Sequence, residues 1–256
     1  MERNDRSKHR PKFNMRFVHH RRRTVLLVLL GIVLLLIGGF YGLKAYQRGE
    51  SKALAPYPVR GCVVDQADGA IDFQALSKKV SFVYLNATTG ATYFDDNFNT
   101  NYDRLRATNL KVGFIHNFSF EKGAQPQLKY IVHKVRSDSG QLPIAIRVSY
   151  YGDDDEKHVD WKKQGPVLAD LVRLLANDYG RQVIIKTTPE IKKVIESKYI
   201  KQSHFWLEDS QLKKRGKRIE YVEFDTKNTF KNDGTKVNLP VSYFNGSKEQ
   251  WEYQNP

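Results

Sequence analysis

The sequence predicts an α/β barrel preceded by a single N-terminal transmembrane helix, and three observations carry that prediction. Twenty residues without a charge, TVLLVLLGIVLLLIGGFYGL, lie between Arg23 and Lys44. From Val59 onward, short β-rich runs alternate with amphipathic stretches. Several of those runs, VGFI and PIAI among them, are apolar without alternation, the pattern of strands buried on both faces.

The first 23 residues form a basic arm holding half of the chain's net charge of +14. At about 1.5 Å per residue, residues 24–43 reach across the roughly 30 Å hydrocarbon core of a bilayer. The run is longer than the ~7–15 apolar residues of a cleaved signal peptide, and Ala53-x-Ala55 lies far downstream before Pro56, so an uncleaved signal anchor is expected. Arg16, Arg21, Arg22 and Arg23 crowd one flank, against Lys44, Arg48 and Lys52 on the other. The positive-inside rule then puts the N-terminus in the cytoplasm and the rest outside the cell. Arg3, Arg6, Lys8, Arg10 and Lys12 invite a nucleic-acid reading, but their place beside the anchor favours topology and contact with anionic lipid, and no nucleic-acid partner is expected. Residues 44–58 suit a short stalk.

Residues 59–256 form the outer domain, with strands expected at 59–65, 81–87, 111–117, 142–149, 182–188, 204–208 and 219–224. Helices are expected at 72–79, 97–109, 125–137, 166–179 and 189–198. The fourth has Val167, Leu168, Leu171, Val172, Leu174 and Leu175 on one face and Gly180 at its C-cap position. This order implies parallel strands with crossover helices, in a doubly wound sheet or a barrel. No glycine-rich phosphate loop follows the first strand, which favours the barrel, with chemistry at the C-terminal strand ends. One cysteine excludes a disulfide framework and multi-cysteine metal sites.

Six segments, in order, resemble the glycoside hydrolase family 25 muramidases, the phage-type and Chalaropsis-type lysozymes. They are GCVVDQADGAIDF (61–73), FVYLNATTG (82–90), NLKVGFIHNF (109–118), LPIAIRVS (142–149), YGRQVIIKT (179–187) and SYFNGS (242–247), the last placed just after the final barrel strand. The resemblance implies a modified (β/α) barrel with some antiparallel strands, whose carboxylates cut the β-1,4 bond between N-acetylmuramic acid and N-acetylglucosamine.

Glycoside hydrolysis needs a carboxylic acid to protonate the leaving oxygen and a carboxylate to support the cationic transition state. The resemblance places the family's acids at Val63, Arg147, Ser149 and Pro240, or at Asn238 in place of Pro240 if a short gap is allowed; none of these residues is a carboxylate. An alcohol such as Ser149 is too weak an acid to serve. Arg147 reverses the field, a repulsion of ~4 kcal/mol at ~4 Å and an effective dielectric of ~20. Thr89, Ile115 and Val222-Glu223-Phe224 also depart from the family's pattern. Asp65, two residues after Val63 on the same strand face, and Glu223 are the substitute carboxylates. Asp153, Asp154, Asp155 and Glu156 read as a solvated loop.

His116, Tyr84, Arg147, Ser149, Tyr150 and Trp206 are the candidate saccharide-binding residues, with core packing the competing reading for the histidine and the aromatics. Cys62 reads as a buried, inert thiol. His133, His158 and His204 lack metal-ligand spacing, and neither metal nor cofactor is expected. The expectation is a single-pass membrane protein of a Gram-positive cell. Its outer domain is a silent muramidase that binds peptidoglycan glycan strands or a cell-wall enzyme. An active muramidase using displaced acids and a pure interaction scaffold are the alternatives.

Overall fold

A computed structural model of the chain describes residues 15–54, 57–151, 158–209, 216, 218–232 and 234–255; the side chains of 15–24, 45–54, 225–228, 231, 232 and 235 are not described. The chain divides into two units, Met1–Ala53 and Leu54–Pro256. The first contains all but the last residue of α1 (Met15–Leu54), which continues through most of the expected stalk. Within it Val25–Lys44 has a mean hydropathy of 2.7, long and apolar enough to cross a membrane. Leu26, Leu27, Leu35 and Leu36 are exposed around the helix, an apolar surface that water does not favour.

The second unit is a closed, eight-stranded mixed barrel. In chain order its first half runs β1 (Arg60–Val64), a 3-10 turn (Gln66–Asp68), α2 (Phe73–Ser77), β2 (Phe82–Thr89), β3 (Tyr93–Phe94), α3 (Phe98–Leu105), β4 (Lys111–Asn117) and α4 (Ala124–Val135). The second half is β5 (Ile144–Val148), α5 (Trp161–Tyr179), β6 (Val183–Thr187), α6 (Pro189–Ile195), β7 (His204–Glu208), β8 (Ile219–Asn232), β9 (Thr235–Phe244) and α7 (Lys248–Gln254). Helix starts follow local chemistry: Asp72, Asp160, Thr188 and Ser247 each cap a helix through the side chain, and Gly180 ends α5 in the left-handed conformation.

Parallel pairing links β1, β2, β4, β5, β6, β7 and β8, while β9 closes the ring antiparallel to both β8 and β1. The residue pattern alone implied parallel strands throughout, and β9 corrects it. Its polar Asn238 and its Pro240 blur the strand signal, although Gly234, at φ +83° between the paired Asn232 and Thr235, marks a tight hairpin. Ser242–Phe244 accordingly lie inside the last strand and do not follow it. β3 pairs only with β2, outside the ring.

Two cores result from the period-2 alternation of the strands. Residues such as Val83, Phe114, Ile146, Ile185 and Phe205 face outward against the helices. The alternate residues, Phe82, Tyr84, Ile115, Ala145, Ile184, Trp206, Tyr221 and Phe244, fill the barrel interior together with Trp251 of α7. Ring centroids of Tyr84 and Trp206 are 4.8 Å apart, and those of Phe82 and Trp251 5.1 Å. Glycine makes room for these rings: a Cβ on Gly61 would lie 2.1 Å from the Phe82 ring, and one on Gly113 2.5 Å from the Tyr84 ring.

Candidate functional site

Two residues beyond the aromatic layer, the same inward faces of β5, β6, β7 and β8 turn from apolar to charged. Ala145 is followed by Arg147, Ile184 by Lys186, Trp206 by Glu208 and Tyr221 by Glu223. Strand alternation dictates that each charged side chain points to the barrel axis. Lys186 Nζ lies 2.5 Å from Glu208 Oε1 and 2.8 Å from Glu223 Oε2, and Arg147 Nε lies 2.8 Å from Glu208 Oε1. The Arg147 and Glu223 contacts are ionic but not aligned as hydrogen bonds. Lys186 and Glu223 are buried, whereas the Arg147 side chain is 39% exposed. Lys186 also stands 5.1 Å from the centre of the Trp206 ring. Burial works to raise the Glu208 pKa, but Lys186 and Arg147 outweigh it and hold the carboxyl below its ordinary value.

This ionic layer floors a cleft of about 260 Å³ at the C-terminal strand ends. Val63 and Asp65 line it from β1 and its end, Asn86 from β2, Ile115 from β4, Arg147 and Lys186 from β5 and β6, Glu223 from β8, and Asn238 and Pro240 from β9. Four of the five positions at which the resemblance sets carboxylates therefore meet in one cleft: Val63, Arg147, Asn238 and Pro240. Asn238 and Pro240 share a strand face, so neither way of counting brings a carboxylate to this wall. Ser149 follows β5 and does not line the cleft.

The opposite wall is acidic. Asp65 Oδ1 accepts a hydrogen bond from the Ala67 backbone N–H, and Asp68 Oδ2 accepts one from the Asp65 N–H, a reciprocal cap of the 3-10 turn. Asp95 accepts from the backbone N–H groups of Gln66 and Asn97. Half-buried, and repelled by Asp65 and Asp95, Asp68 has its pKa pushed up to about 6 against the pull of the Asp65 N–H. Asn86 Nδ2 donates to Asp65 Oδ2 at 3.4 Å, leaving its buried Oδ1 without a hydrogen-bond partner.

The other sequence candidates fall elsewhere. Tyr84 and Trp206 are fully buried inside the barrel, where Tyr84 Oη donates to the Pro143 carbonyl and Trp206 Nε1 to Ser242 Oγ, so neither offers a face to a sugar. His116 faces outward from β4 into the helix layer. Its Nε2 lies 3.0 Å from Gln127 Oε1 and its Nδ1 2.8 Å from Thr88 Oγ1. Complete burial lowers its pKa to about 4, which makes it a neutral clamp joining β2, β4 and α4, the core-packing role that competed with saccharide binding in the sequence. Tyr150 is half-buried, its ring beside Phe120 and its hydroxyl accepting from Trp161 Nε1. Burial pushes the Cys62 thiol far up. Asp153, Asp154, Asp155 and Glu156 lie outside the described residues.

Sequence reasoning missed Lys186, Glu208 and Asp68. The signal for Lys186 was a cation inside the apolar run VIIKT. For Glu208 it was an acid ending HFWLE, and for Asp68 an acid three residues after Asp65.

The barrel resembles several solved lysozymes. A family 25 glycosyl hydrolase from Bacillus anthracis superposes with a TM-score of 0.70 at 22% identity, over 78% of this chain and 94% of that one. The bacterial lysozyme from Streptomyces coelicolor gives 0.66 at 18%, over 77% and 96%. At these identities the likeness concerns the fold. Among curated proteins, the autolytic lysozyme of Clostridium acetobutylicum is 36% identical over 59 residues, 23% of this chain and 18% of that protein. The uncharacterized protein YegX of Escherichia coli is 26% identical over 119 residues, so the match spans 44% of each chain. Residues 64–229 match the model of glycosyl hydrolases family 25, from the end of β1 through most of β8, and the chain therefore belongs to that family.

Proposed function

We propose that the chain is a membrane-anchored muramidase-fold domain that binds peptidoglycan glycan strands without cutting them. The observation that carries this reading is the cleft floor. Where hydrolysis needs a free carboxylic acid and a free carboxylate, Val63, Arg147, Asn238 and Pro240 supply none, and Glu223 is engaged by Lys186. The aromatic core fixes the barrel independently of this layer, so the scaffold persists when the chemistry does not. Family membership supports peptidoglycan as the ligand class, and Arg147, Asn86 and Asp65 offer both donors and acceptors to sugar hydroxyl and acetamido groups. The span Val25–Lys44, with its arginine-rich N-terminal flank, supports a single-pass anchor with the barrel outside a Gram-positive cell.

The test pairs binding with turnover. Purified full-length chain in neutral detergent should co-sediment with purified cell walls while releasing no reducing ends from them. Release of reducing ends would reject the silent reading. Absence of sedimentation would replace glycan with a wall enzyme as the partner.

One observation favours a second reading, that of an active muramidase. Asp68 faces the cleft with a pKa near 6, a value suited to a general acid. Its weakness is the facing wall, where the partner carboxylate should stand and Arg147 stands instead. Activity abolished by Asp68→Asn would establish this reading.

A further inference from the structure

The two sides of the cleft differ in charge balance. On the floor, Lys186 is held between Glu208 and Glu223, and Arg147 by Glu208, so two cations meet two acids. The wall built by the end of β1 and the 3-10 turn has no such balance. The charges acting on Asp68 are those of Asp65 and Asp95, and those acting on Asp95 are Asp65 and Asp96, all of them negative. Among the described residues no lysine or arginine is ion-paired with Asp65, Asp68 or Asp95. A separate observation concerns β2 on the same wall. Asn86 Oδ1 is buried without a hydrogen-bond donor, because the Asn86 amide gives its N–H to Asp65. This side of the cleft therefore lacks both a donor and a positive charge.

We infer that the cleft selects a glucosamine unit that carries no N-acetyl group, its ammonium at Asp65 and Asp68 and its ring over the cleft floor. The inference rests on the glycan reading of the cleft and names the unit bound. Hydroxyl and acetamido groups of a glycan strand are neutral, whereas an unacetylated amine brings a positive charge and three donors to a wall that has neither. Ammonium-to-carboxylate hydrogen bonds are about twice as strong as neutral ones, and a concave wall of one sign concentrates the field. At about 260 Å³ the cleft stands near the lower limit of small-molecule pockets, which suits one sugar ring. The chain's net charge of +14 works against any cationic ligand, so a preference for one has to come from this wall.

The test uses the full-length chain in neutral-detergent micelles, with two β-1,4-linked tetrasaccharides as probes, one of glucosamine and one of N-acetylglucosamine. Calorimetric titration at pH 6.5, where the Asp68 carboxylate and the sugar ammonium coexist, should give about tenfold tighter binding of the glucosamine form, from charge-assisted contacts. Asp68→Asn keeps an oxygen to cap the 3-10 turn but removes the charge, and should bring the two affinities within about threefold. Asp170→Asn, exposed on α5 and equal in charge change, should keep the preference. Circular dichroism verifies folding, and the comparison of the two probes on the native chain needs no variant. Equal affinity for both probes, or tighter binding of the acetylated one, would overturn the inference and leave the glycan reading standing. A preference that survives Asp68→Asn, or that Asp170→Asn removes as well, would also overturn it. Binding of neither probe would overturn it too, and co-sedimentation with cell walls then tells whether the glycan reading falls with it.

Discussion

Two successive layers of one barrel, contributed by the same strands, are built on opposite principles. Ala145, Ile184, Trp206 and Tyr221 fill the interior with apolar and aromatic volume, and two residues on, Arg147, Lys186, Glu208 and Glu223 close it with charge. The first layer is held by burial, at roughly 25 cal/mol per Å² of apolar surface. In the second, desolvation of each ion offsets most of the Coulomb attraction, so the layer is weak evidence of stability while both signs are present. It becomes costly only when one partner is removed. A fold can therefore keep its aromatic layer and exchange the chemistry of the layer above it.

The comparison breaks most sharply at Lys186. Lys186→Met leaves Glu223 buried without a cation, and Glu208 with only the partly exposed Arg147, and should lower stability by about 3–5 kcal/mol at neutral pH. Trp206→Ala, in the apolar layer, should cost a similar ~3–5 kcal/mol through the cavity it opens. Acid separates the two. Lowering the pH to 5 should restore part of the Lys186→Met loss, by relieving uncompensated negative charge, and none of the Trp206→Ala loss. Urea denaturation at pH 7.5 and pH 5 reads the difference, and equal pH responses would contradict the assignment of Lys186 as the neutralising group.

A smaller effect is expected outside both layers, at His116. Its folded pKa of about 4 lies below the ordinary 6.5, so the folded protein binds fewer protons between those values. Stability from this group is complete above pH 6.5 and lost as pH falls toward 4, by on the order of 3 kcal/mol. Asp68 acts in the opposite sense over an overlapping window. Its folded pKa of about 6 lies above the ordinary 3.8, so acidification through pH 6 favours the folded state. The slope difference between the native chain and His116→Gln isolates the histidine. The variant should be less stable at pH 7 yet lose less between pH 6.5 and 4.

The aromatic layer and the ionic layer were unequally legible in the sequence. Apolar runs and the order of segments were enough to place β1, β2 and β4 through β8, because alternation and burial leave a pattern along the chain. β9 escaped because Asn238 and Pro240 interrupt that pattern. Val63, Arg147 and Pro240 could be named as cleft positions from motif spacing alone. What spacing could not reveal is pairing. Glu223 was a candidate acid until Lys186, 37 residues earlier, was found against it. His116 likewise looked like a site residue until Gln127 of α4 accounted for its second nitrogen. Cross-strand partners depend on register, and one sequence does not state the register.

The mildest expected change is at Arg147, and it bears most directly on function. Its side chain is partly exposed, and Glu208, its partner, keeps Lys186 when the arginine is removed. Arg147→Gln should therefore cost only about 1 kcal/mol, as for a partly solvated ion pair. If the cation were the sole obstacle to hydrolysis, its removal would bring back some activity. The pairing with Glu208 makes it a weaker obstacle than an isolated cation would be. The absence of a proton donor at Ser149, Asn238 and Pro240 stands whatever residue occupies position 147. Arg147→Gln should therefore release no reducing ends from cell walls while changing affinity for them, and any hydrolysis by this variant would assign the silence of the cleft to one charge.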